Sequence, residues 1–249
     1  MLPSPVTLST DTLLTIIRWR HGEPHPIVPH TPTWYDDSTL RALDARARTE
    51  LAHHGLAYGD RLHPDLNDVV GAILRPDHEL YGWVNAVVAD RPRHYGVLAG
   101  FAYQQGFLLV HEADAVALAS VELDDVLDSF LAQLPPVRPA NRPGITVDYE
   151  EFLAASAPRQ REGFVGFRRS VPPDIQALRA LVAQPRFGAG NLYSAARRGS
   201  GARARIQRPV NYLDTPDGRW LLTLYTDHGR RWATARPATR DLIAGFLNQ

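Results

Sequence analysis

The chain has 249 residues with 27 acidic side chains balanced by 27 basic ones, and 44% hydrophobic against 22% charged residues. That is ordinary globular chemistry, sufficient for one large domain or two small ones. The absence of cysteine excludes disulfides, thiolate zinc sites and a thiol nucleophile. No apolar run approaches the roughly 20 residues of a membrane helix. The first basic residue is Arg18, so the start lacks a signal peptide's layout and the chain reads as cytoplasmic.

All 27 basic residues are arginine, and they are unevenly spread. Residues 1–134 hold 9 Arg against 18 Asp and Glu, a balance of −9, and residues 135–249 the reverse, +9. Such asymmetry is either drift on two solvated surfaces or a field that steers an acidic partner.

In chain order, Val6–Leu8 predicts an edge strand, and Ser9 or Thr10 caps a helix with Leu13, Leu14, Ile16 and Ile17 on its apolar stripe. A loop rich in Pro and His fills 21–36. Ser38 is the predicted cap of a second helix, which Gly55 stops, and Pro64 opens a third that ends before Pro76. Leu80–Val88 then reads as a strand apolar on both faces. Asp90-Arg-Pro-Arg-His94 reads as a polar, Pro-broken loop. Tyr95–Tyr103, Phe107–His111 and Ala115–Val121 supply three more strands before a helix over 123–134.

Residues 135–144 contain four prolines and read as a linker between an N-terminal half, 1–134, and a C-terminal half, 145–249. The second half repeats the plan. Helices are predicted over 148–156 and 172–184, a strand over 187–198, and a Gly- and Arg-rich loop over 199–205. Val210–Asp214 and Arg219–Thr226 flank Thr215-Pro-Asp-Gly218, where Pro216 presets φ and Gly218 accepts a positive one. A three-residue loop, Asp227-His-Gly229, leads to a third strand through Arg236, and Pro237 opens the last helix. Asp125…Phe130-Leu…Gln133 and Asp241…Phe246-Leu…Gln249 share one pattern, which together with element order predicts an internal pseudo-repeat.

Several stretches jointly resemble the EspG family, the cytosolic chaperones of ESX (type VII) secretion systems. They are Leu8-Ser-Thr-Asp-Thr-Leu13, Glu50-Leu-Ala-His-His-Gly-Leu56, Ile73-Leu-Arg-Pro76, Val210-Asn-Tyr-Leu-Asp-Thr-Pro-Asp-Gly-Arg219 and Arg236-Pro-Ala-Thr239. The resemblance implies an α+β fold of two quasi-symmetric halves, each an antiparallel sheet with a helical bundle, packed as one globular unit. It implies a non-enzymatic role, holding PE-PPE heterodimers soluble by capping the tip of the PPE subunit. It further implies a partner contact through the loop Asp90, Arg91, Pro92, Arg93 and His94. That loop is too short to supply the contact alone, so an exposed sheet face and the second half are expected to add area.

Competing chemistries are weaker. His21, Glu23, His25 and His30 carry zinc-ligand types, but Pro24, Pro26 and Pro29 break any helix that would align them, so neither a metal nor another cofactor is expected. A metal-dependent hydrolase therefore has little support, and no Gly-rich phosphate loop or nucleophile elbow occurs. Arg197, Arg198, Arg203, Arg205 and Arg208 form a patch that would suit nucleic acid, yet net charge is zero and no recognition motif accompanies it. Neither nucleic acid nor membrane is expected as a partner.

Overall fold

A computed structural model describes residues 1–31, 34–59, 61–157, 171–197, 201–206 and 209–248. Strand β1 (Val6–Ser9) runs directly into helix α1 (Thr10–Trp19), where Ser9 Oγ accepts the Thr12 N–H at 3.2 Å and Leu13, Ile16 and Ile17 are buried. Helix α2 (Asp37–His53) follows, then a small hairpin of β2 (Ala57–Tyr58) and β3 (Arg61–Leu62), and helix α3 (Pro64–Leu74). Four antiparallel strands come next: β4 (His78–Val88), β5 (Arg91–Ala102), β6 (Gln105–Glu112) and β7 (Ala115–Val121). A 3₁₀ turn at Leu123–Asp125 precedes helix α4 (Val126–Leu131). Strand β8 (Ile145–Asp148) and helices α5 (Tyr149–Ser156) and α6 (Pro173–Val182) lead to β9 (Gly188–Arg197) and β10 (Arg203–Arg205). The chain closes with β11 (Val210–Thr215), β12 (Gly218–Asp227), β13 (Arg230–Pro237) and helix α7 (Arg240–Leu247).

Cap chemistry shifts several boundaries from those predicted. Asp36, not Ser38, caps α2: its carboxylate accepts from Thr39 N at 2.7 Å and from Ser38 Oγ at 2.9 Å, because an ionised acceptor outcompetes a hydroxyl. The last helix starts three residues beyond Pro237, where Thr239 Oγ1 accepts the Leu242 N–H at 3.1 Å. The turn after β12 has two residues, not three, with His228 at φ 46° and Gly229 at φ 76°. Strand β8 arises just before the predicted helix, at 145–148 where no strand was expected, and β10 arises within the predicted loop 199–205. Gln249 and the arginines at 198 and 208 lie outside the described residues.

The chain divides into two compact units. The first comprises 1–135, 191–209 and the terminal residues 247–249. Its sheet runs β1-β7-β6-β5-β4-β9, with β10 added beside β9. Leu13, Ile16 and Ile17 of α1 and Leu66, Val70 and Ile73 of α3 pack into one core with Leu98, Phe107, Leu109 and Leu118 of the sheet. α4 lies against β4, β5 and β6.

The second unit comprises 136–190 and 210–246. Its sheet runs β11-β12-β13-β8, and Trp220 at 2% exposure packs with Val147, Ile175, Leu178, Leu181 and Ala235. The Asn-Tyr-Leu-Asp-Thr-Pro-Asp-Gly-Arg stretch is a structural device here. Asp214 and Arg219 form a buried two-pronged ion pair, Nε to Oδ1 at 2.7 Å and Nη2 to Oδ2 at 2.9 Å. Gly218 at φ 119° closes the turn and lies so near the Pro-rich segment that a Cβ there would stand 2.7 Å from the Pro139 carbonyl. That segment is tied down by Arg219 N to Arg138 O at 2.8 Å and Ala140 N to Arg219 O at 3.0 Å. Gly190 leaves the space that the Tyr212 ring occupies.

Candidate partner-binding face

The β4–β5 pair sets the candidate site. Its register runs from His78↔Phe101 to Val88↔Arg91, so only Ala89 and Asp90 form the turn, at φ 48° and 60°. The predicted loop Asp90–His94 is thus corrected: Asp90 is a turn residue, and Arg91, Pro92, Arg93 and His94 begin β5. Pro92 is tolerated because β6 pairs with β5 only from Tyr95 onward, leaving one side of the first residues open. A strand places successive side chains on opposite faces. Arg91 and Arg93 therefore share one face with Val88, Ala86 and Tyr95, and Pro92 and His94 share the other with Val87, Asn85 and Trp83.

The arginine side is partly committed. Arg93 holds Glu112 with two N–H groups, Nε to Oε1 at 2.7 Å, and its guanidinium lies 5.4 Å from the Tyr95 ring centroid. That pairing draws the Glu112 carboxyl below its ordinary range. Arg91 is exposed and carries no ion pair among the described residues.

The other face holds an aromatic platform that the sequence reading did not single out. Tyr81 and Tyr193 stack at 5.0 Å with an interplanar angle of 13°, and the Trp83 ring stands edge-on to both, at 5.9 and 6.0 Å. Arg203 lies 5.0 Å over Tyr81, and Arg205 lies 4.9 Å over Tyr193. Beyond Tyr81 no described element covers the face: Trp83 is 37% and Val87 46% exposed, although the strand reads from its sequence as apolar on both faces. An exposed Trp braced by tyrosines and arginine has the composition of a binding hot spot. The overlooked signal was the sequence Trp83-Val-Asn-Ala-Val87, where polar Asn85 interrupts the apolar face.

Beside Tyr81 on the same face lies a polar knot around the buried Glu79 side chain. Arg203 pairs with Glu79, whose side chain is 2% exposed. Burial pushes the Glu79 carboxyl up, and the Arg203 hydrogen bond and charge offset it only partly. His25 turns inward, edge-on to Tyr81 at 4.9 Å. Its Nδ1 accepts the Ile27 N–H at 3.2 Å, and its Nε2 lies 3.4 Å from Arg203 Nη2 and 3.8 Å from Glu79 Oε2. Burial first, and then the Arg203 charge, lowers its pKa to about 4.

The structure does not bring the four loop residues weighed as zinc ligands together as a set, and no group of three or more His, Asp or Glu suited to a metal occurs among the described residues. The predicted arginine patch is likewise changed in character. Arg203 is neutralised by Glu79 and Arg205 stacks on Tyr193, so these side chains serve the platform and not an open phosphate track. No helix among the described residues is long and apolar enough to cross a membrane.

The sequence profile described as the EspG family matches residues 9–249. Among solved structures, the chain is similar to the Mycobacterium tuberculosis type VII secretion system chaperone EspG5 in complex with a PE25-PPE41 dimer. The TM-score is 0.69 at 16% identity, covering 98% of this chain and 95% of that one. At that identity the likeness speaks for the fold. A comparison with curated proteins found no match.

Proposed function

Because the chain belongs to the EspG family over nearly its whole length, we propose that it is a chaperone of a type VII secretion system that binds a PE-PPE heterodimer. It acts in the cytoplasm, without catalysis, by covering the tip of the PPE subunit until export. The observation that carries this reading is the uncovered platform around Trp83, next to the hairpin end at Asp90–His94, on a fold shared with a chaperone solved in complex with such a dimer. A stable contact of about 1,200–2,000 Å² exceeds what a two-residue turn offers. Trp83, Val87, Pro92 and His94 on one face supply an apolar centre, with Arg91 at the rim.

The test is co-expression with the PE-PPE pair encoded nearby, followed by size exclusion, for the parent and for Trp83→Ala. The parent should co-elute with the pair. The variant should lose on the order of tenfold or more in affinity, the loss expected for a central aromatic anchor. Failure of the parent to co-elute with any such pair would refute the function, and an unaffected variant would refute the face.

A further inference from the structure

We infer that His94, hydrogen-bonded to Asn85, is the polar specificity element of the Trp83 face, and that its Nε2 takes a neutral hydrogen-bond donor of the PPE subunit, a hydroxyl or an amide N–H. This rests on the partner-binding reading of that face and names the chemistry the face selects. The β4–β5 register sets Asn85 opposite His94, between the pairs Trp83↔Gly96 and Val87↔Pro92 on the same face. A polar pair thus sits inside a strip that is otherwise apolar, with Trp83 on one side and Val87 and Pro92 on the other.

The pair fixes the ring. His94 Nδ1 is hydrogen-bonded to Asn85 Oδ1, and an amide oxygen only accepts, so the ring nitrogen donates. The neutral ring then keeps its lone pair on Nε2, at the edge turned away from Asn85. Both residues are exposed, and the bond to Asn85 is the one hydrogen bond of the ring among the described residues. Nε2 is therefore held in one orientation and is open to an incoming group.

Docking a partner on the apolar strip removes water from Nε2. An acceptor buried without a donor bears the whole cost of its desolvation, whereas a matched donor offsets it, so the pair adds little to average affinity and much to discrimination. A carboxylate would set lone pair against lone pair. An ammonium would itself lose water among Trp83, Val87 and Pro92, which leaves a neutral donor as the group that fits.

Titration calorimetry of the full chain with the co-purified PE-PPE pair tests this with three substitutions. His94→Gln puts an amide near the place of Nε2 and should stay within about threefold of the parent. His94→Asn, whose amide reaches only the place of Nδ1, and His94→Phe, which keeps a flat ring without nitrogen, should each weaken binding by on the order of tenfold. Nitrogen NMR of the neutral His94 ring should show the proton on Nδ1 in the parent and shared between both nitrogens in Asn85→Ala. A parent that binds no such pair would overturn the partner-binding reading and this inference with it. With the parent binding, an unchanged His94→Phe, a His94→Gln as weak as His94→Asn, or a proton on Nε2 in the parent would each overturn this inference alone.

Discussion

The His25 side chain, 9% exposed, reports on the packing beside the aromatic platform. The His25 ring titrates at 6.5 in an unfolded chain and at about 4 in the folded one, so between those values the unfolded state binds more protons. Stability therefore carries no penalty from this residue above pH 6.5 and loses up to roughly 3 kcal/mol as pH falls to 4. Glu79, raised by burial, acts with the opposite sign around and above its ordinary range, and its contribution is common to parent and variant if only His25 is changed. His25→Asn keeps an acceptor for the Ile27 N–H and removes the titration. Urea unfolding at pH 7.5 and 5.0 should show the parent losing about 2 kcal/mol more than this variant. Equal losses would mean that the ring is not held neutral by its surroundings.

At the scale of elements, the β11–β12 hairpin was legible and the β4–β5 hairpin was not, for a reason of turn chemistry. Thr215-Pro-Asp-Gly218 announces itself, because Pro and Gly each have one backbone use there. Ala89-Asp90 turns through positive φ without glycine or asparagine, and Pro92 reads as a breaker unless one knows that β6 stops short. Burial of Trp220 is legible from the apolar residues on both faces of Arg219–Thr226, the mark of a strand covered on both sides. Four-residue β8 and three-residue β10 were not, since short edge strands carry too few residues to show a period. Trp220→Ala should cost roughly 3–5 kcal/mol, the range for a large core aromatic. Trp220→Phe should cost much less, because the indole N–H is buried without a hydrogen-bond partner among the described residues. Chemical denaturation of both variants checks this, and a parent-like Trp220→Ala curve would remove the residue from the core.

At the scale of the whole molecule, the question is how a chain with no net charge finds its partner. Zero net charge removes attraction through the net charge, so steering comes from unevenly placed charges, screened beyond a Debye length of about 8–10 Å. Asp90–His94, read from sequence as one loop, divides that task. Arg93 is bound to Glu112 and stiffens the hairpin, whereas Arg91 projects free of any ion pair among the described residues. A rim charge of this kind changes association rate more than the final affinity. Arg91→Glu should therefore slow association with the co-purified PE-PPE pair severalfold at low ionic strength, with dissociation little altered and the difference shrinking as salt rises. Arg93→Glu should instead set two carboxylates against each other at Glu112 and lower hairpin stability, a loss that added salt only partly restores. Stopped-flow association at two salt concentrations separates the two residues. Identical rates for parent and Arg91→Glu at both would place the hairpin tip outside the contact and leave the Trp83 face to make it alone.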